Sequence, residues 1–126
     1  MSEKVKYDKL KAYADLVEDL IITSGDVRLT ENSLGLCGEA GEVADKIKKF
    51  FRDEEFSKQD VIRELGDVLF YITALTNHIG SDLETVMDVN IEKLHDRRER
   101  NMIKGSGDNR WTTLLIINTH SFIYYQ

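Results

Sequence analysis

Two stretches of this chain repeat one pattern at a constant offset of 25 residues: Leu36, Ala40, Val43, Ala44 and Ile47 fall on Val61, Leu65, Val68, Leu69 and Ile72. Steps of three and four residues keep all five on one stripe of an α-helix, whereas a strand would divide them between its two faces. The 126 residues include no proline, so nothing in the sequence removes an amide donor or forces a kink. The expected fold class is all-α: two equivalent amphipathic helices pairing by their apolar stripes, with further helices around them in an antiparallel four-helix bundle.

Local signals place four helices. The first is expected from about Val5 to Thr23, with Leu10, Tyr13, Ala14, Val17, Leu20 and Ile21 inward, closing at Ser24-Gly25. The second is expected from Asn32 or Ser33 to about Phe51. Ser57 and Asp60 have capping-box spacing for the third, which runs to His78–Gly80; Ser81 and Glu84 repeat that spacing for the fourth, which reaches about Arg100. One domain over 1–104 is expected, followed by a loop and tail over 105–126, glycine-rich at Gly105 to Arg110 and then β-branched and aromatic.

The same offset of 25 residues lays Glu39 on Glu64, Gly41 on Gly66 and Glu42 on Asp67. At about 100° per residue, the first carboxylate of each pair lies at the edge of its apolar stripe and the second about 60° further round. Antiparallel packing would bring all four to one shared edge, where their mutual repulsion calls for a cation. Carboxylate oxygens suit hard ions, Mg2+ or alternatively Mn2+, and the absence of a Glu-x-x-His pair argues against a di-iron bundle. Gly41 and Gly66 each cost roughly 1 kcal/mol relative to alanine in a helix interior, so a close backbone approach is expected there. A single Glu-x-x-Glu is ordinary on a solvated helix face; the duplication is what makes the signal specific. Lys46 is the i+4 partner available to Glu42.

On the fourth helix Leu83, Met87, Ile91 and Leu94 mark the inward stripe, Asn90 falls within it, and Lys93 and Arg97 flank it. A phosphate group would satisfy all three polar residues; the alternative is that the long cations run past the core while Asn90 caps a backbone group. Tyr71, His78 and Trp111 are aromatic enough to stack on a base, and equally suited to plain packing. Phe70 falls opposite the apolar stripe, where a subunit contact would explain it.

A net charge of −6 with no basic run excludes a nucleic acid polymer as partner. Lone Cys37 reads as a packed thiol in a reducing, cytoplasmic setting. The charged segment Met1 to Lys11 carries no leader or anchor pattern, and Leu114 to Ile117 is too short to cross a membrane.

Gly38-Glu39-Ala40-Gly41-Glu42, Glu64-Leu65-Gly66-Asp67 and Asn90-Ile91-Glu92-Lys93-Leu94 together resemble the MazG-like nucleoside triphosphate pyrophosphohydrolases over roughly Leu34 to Arg110, with Gly105 to Arg110 similar to the carboxyl-terminal signature of short, often phage-borne members. The resemblance implies the all-α NTP pyrophosphatase bundle, a homodimer or tetramer, and Mg2+-dependent cleavage of a nucleoside triphosphate between its α and β phosphates to a monophosphate and pyrophosphate. It implies Glu39, Glu42, Glu64 and Asp67 as metal ligands, Glu39 also as the proton acceptor, and Asn90 and Lys93, with Arg97 a weaker assignment, at the triphosphate. Where the family pattern opens with two adjacent glutamates, this chain has Gly38 in the first position. The alternatives are a non-catalytic helical binding or regulatory module and a phosphohydrolase acting on a related nucleotide.

Overall fold

The computed structural model describes residues 8–53 and 57–100. They form four helices, α1 (Lys9–Leu20), α2 (Gly25–Asp53), α3 (Lys58–His78) and α4 (Leu83–Glu99), and no strand among the described residues. The all-α class is therefore borne out. The signature Gly105 to Arg110, Trp111 and the rest of the tail lie outside the described residues, as do Met1 to Tyr7. The chain divides into two compact units, one ending at Val86 and the other beginning at Met87.

The helix ends follow their local chemistry. Asp8 caps α1, its carboxylate accepting the Lys11 amide at 3.0 Å. Ser57 caps α3 as the sequence predicts, its hydroxyl accepting from the Asp60 amide at 3.2 Å. Gly80 ends the α3 region with φ of 71°, a left-handed conformation costly for a residue with a Cβ, which lets the Ser81 amide donate back to the Thr76 carbonyl at 3.0 Å.

Two boundaries correct the expectation. Helix α2 begins at Gly25 (φ 56°), seven residues before Asn32, after α1 has already ended at Leu20 with Ile21 extended, and Asp26 sits favourably in the new first turn. The fourth helix is capped by Asp82, which accepts from the Thr85 amide at 2.7 Å, rather than by Ser81. That bond also holds the Asp82 carboxyl below its usual range.

In the first unit α3 is central, packing against both α1 and α2. Its carboxyl-terminal half carries small residues where it packs with α1: Thr73 and Ala74 are fully buried, as is Val17 of α1. Thr73 and Thr76 bury their hydroxyls by donating to the Leu69 and Ile72 carbonyls at 2.7 and 2.8 Å, so neither leaves a polar atom without a partner. The corner between α1 and α2 is tied by Glu18, whose carboxylate accepts both Arg28 guanidinium nitrogens at 2.7 and 2.5 Å and the Asn77 amide of α3 at 3.3 Å. Asn77 also donates to the Ala14 carbonyl at 3.0 Å, so one side chain joins α1 twice. Cys37 is exposed in the single chain rather than packed.

The Arg28 guanidinium holds the Glu18 carboxyl below its usual pKa. A depressed folded value means that the pair stabilises above the ordinary glutamate range and that this contribution disappears as the pH falls through the lower folded value. Thermal melts should therefore place Glu18→Gln a few degrees below the parent at pH 7, with the difference closing in acid below about pH 4.

Candidate metal centre and adjoining cleft

Helices α2 and α3 pack together, but Ala40, Ala44 and Ile47 of one stripe and Leu65 and Leu69 of the other stay exposed, so the two apolar stripes do not bury each other fully as expected; the pairing still brings three of the four predicted carboxylates together. Glu39 on α2 and Glu64 and Asp67 on α3 each offer an oxygen, and the three atoms lie within 4.8 Å of one another. Glu39 and Glu64 are half-buried and Asp67 is exposed. Glu64 and Asp67 sit three residues apart, one helical turn, so α3 alone supplies two of the groups and α2 closes the set. Glu42, one turn beyond Glu39, is exposed and lies outside this cluster.

Lys46 completes the electrostatics in a way the spacing did not indicate. Read along the helix it is the neighbour of Glu42, yet its ammonium lies 3.1 Å from the Glu64 carboxylate on the opposite helix. That hydrogen bond holds the lysine pKa above its ordinary value, with Asp60 and Glu42 adding to the effect. Tyr13 of α1 is pushed up as well, first by burial and then by the charge of Asp67, so the hydroxyl stays protonated beside the acidic cluster.

The donor set fits a hard divalent cation. Three carboxylates supply oxygen only, with no sulfur or imidazole among the grouped residues, and carry more negative charge than one ammonium neutralises. Their oxygens are close enough for small side-chain rotations to place all three around one Mg2+ or Mn2+.

Asn90, Lys93 and Arg97 belong to the second unit, on α4. Asn90 is exposed, and Lys93 and Arg97 are half-buried and engaged in interactions.

The expected close approach at Gly41 and Gly66 is absent: a Cβ built on either meets nothing within 4 Å. The close approach is at Gly35 instead, where a Cβ would come within 2.3 Å of the Tyr71 ring. Tyr71 meets Phe70 edge to face, the ring centres 5.3 Å apart. Phe70 is half-buried rather than exposed, because both rings line a cleft of about 250 Å3 together with Glu31, Asn32 and the corner from Leu20 to Thr23. Asn32 is only 4% exposed, and its amide nitrogen has no hydrogen-bond partner. Leaving such a donor buried and unsatisfied costs about 1 to 3 kcal/mol. In the sequence Asn32 reads only as a candidate helix start, although it stands seven residues before Glu39 and therefore on the same stripe of α2.

An all-helical unit with an acidic centre shared by two equivalent helices defines a narrow class. The MazG nucleotide pyrophosphohydrolase domain matches residues 29–102, more than half of the sequence, and the chain belongs to that family. The Gene 37 protein of Mycobacterium phage L5 is 45% identical over 83 residues, covering 62% of this chain and 73% of that protein. No solved structure matches the chain significantly.

Because the Tyr71 ring fills the space beside Gly35, Gly35→Ala should destabilise the fold by about 1 to 3 kcal/mol through overpacking, despite alanine's better helix propensity. Chemical denaturation measures it. Gly41→Ala, made where the space is open, serves as the control and should be neutral or stabilising.

Proposed function

We propose that this protein is a Mg2+-dependent nucleoside triphosphate pyrophosphohydrolase, cleaving an NTP or dNTP between the α and β phosphates to give a nucleoside monophosphate and pyrophosphate. The observation that carries the reading is the convergence of Glu39, Glu64 and Asp67 within 4.8 Å from two adjacent helices. Family membership supports the nucleotide as substrate. A divalent ion held there would supply positive charge to the phosphates and lower the pKa of water.

The chain's own residues do the rest. Glu64 and Asp67 would hold the ion from α3, and Glu42 would join them by rotation of its exposed side chain. Glu39, at the α2 edge of the group, accepts the proton of the attacking water. Lys46, bonded to Glu64, offsets part of the carboxylate charge and so keeps the acidic group from forcing the helices apart. Asn90 and Lys93, with Arg97, donate to the triphosphate and stabilise the departing pyrophosphate. The setting that goes with this chemistry is the cytoplasm, where the substrate is found.

The exposed apolar residues support a homo-oligomer. Among the described residues only Val17, Ala74 and Leu83 are buried apolar side chains. Ile62, Leu65 and Leu69 form an exposed row on α3, while Ile47 and Phe51 extend an apolar row on α2, Phe51 at 77% exposure. Apolar rows that long are costly to leave in water and are the natural contact between copies.

Incubation of a triphosphate panel with Mg2+ should release pyrophosphate and the monophosphate in equal amounts; orthophosphate as the sole phosphate product would overturn the reading. Glu39→Gln and Glu64→Gln should each lower kcat by about 100-fold or more, and Glu64→Gln should also weaken Mg2+ uptake measured by calorimetry. Lys93→Ala should impair turnover without lowering the melting temperature. Sedimentation should give a dimer or tetramer, and Leu65→Glu with Leu69→Glu should shift it toward monomer.

A further inference from the structure

The cleft beside the acidic centre has a lining that suits one part of a nucleotide. Two aromatic rings, Phe70 and Tyr71, form an apolar corner; Asn32 brings an amide whose nitrogen has no partner; and Glu31 brings a carboxylate. The carboxylate and the absence of any basic lining residue exclude a phosphate. A flat aromatic group with a polar edge fits rings, amide and carboxylate together.

The position along the helices agrees. Asn32 and Glu39 stand on the same stripe of α2, seven residues apart, about 10 Å along the axis. Tyr71 continues the Glu64 and Asp67 stripe of α3 by one more turn. The cleft therefore lies along the two helices from the carboxylates by a distance comparable to one nucleoside.

We propose that this cleft is a base-recognition site for a nucleobase that carries an exocyclic amine next to a ring-nitrogen acceptor, the pattern that cytosine and adenine share and uracil and thymine lack. The amine donates to Glu31, the ring nitrogen accepts from the Asn32 amide, and the base lies against the Phe70–Tyr71 corner. Gly35 is the positioning residue, since its missing side chain lets Tyr71 sit where it does. The proposal rests on the nucleotide reading above, but it is tested without hydrolysis.

Free nucleosides are titrated into the full chain in the presence of a chelator, with the Asn32 side-chain amide followed by 1H–15N NMR. Cytidine or adenosine should shift that resonance and bind at least about tenfold more tightly than uridine and thymidine. Glu31→Gln, an exposed change, should narrow that difference, and Asn32→Asp should weaken the amino-bearing nucleosides by about tenfold while amide dispersion stays that of a folded chain. Equal shifts with uridine and cytidine, or the same shifts with ribose alone, would overturn the assignment. If no triphosphate is hydrolysed while cytidine or adenosine still moves Asn32, the catalytic reading fails and the base site stands. The reverse result separates them the other way.

Discussion

The antiparallel register of α2 against α3 is the constraint on which the acidic centre depends. Moving one turn down α2 moves one turn up α3, so that Lys46 reaches Glu64, Glu39 reaches Glu64 and Asp67, and Gly35 receives Tyr71 as successive rungs of one ladder. The three rungs are not independent. A slip of one residue turns a helix by about 100°, which would take the carboxylates off the shared edge and drive the tyrosine ring into a side chain. The tightest rung is the least chemical one: a ring seated where only a hydrogen can be accommodated fixes the depth at which all the charged groups meet.

How much of this was legible in the sequence depends on how local the cause was. The all-α class followed from the repeated stripe, and the α3 start from Ser57, because a capping hydroxyl and a 3.6-residue period act within a few residues. Three of the four carboxylates were found together for the same reason: stripe-edge positions on paired helices are forced into proximity. The α2 start at Gly25 is not legible locally, because what commits Val27 to Glu31 to helix is contact with α1 through Arg28, ten residues from Glu18. Gly41 and Gly66 looked like contact glycines and are not, while Gly35 is; propensity records what a glycine costs but not which neighbour uses the space. Lys46 was assigned by helix spacing to Glu42, whereas the partner across the groove is better placed.

The electrostatics of the centre are balanced without being neutral. One ammonium against three carboxylates leaves a net negative group on a surface partly open to water, enough to attract a cation yet not enough to unfold the pair of helices. Tyr13 belongs to the same balance, its hydroxyl kept protonated by burial and by Asp67, so α1 adds a neutral donor to the rim instead of a further charge.

The corner from Leu20 to Thr23 forms one wall of the cleft, and that corner is stapled by the Glu18–Arg28 pair, with Glu18 facing solvent. A wall positioned by a partly solvated ion pair softens as dissolved salt screens it. The aromatic wall opposite, seated against Gly35, has no such sensitivity. The two walls of the cleft are thus held by different forces, one by an ion pair at the α1–α2 corner and the other by close packing against a glycine.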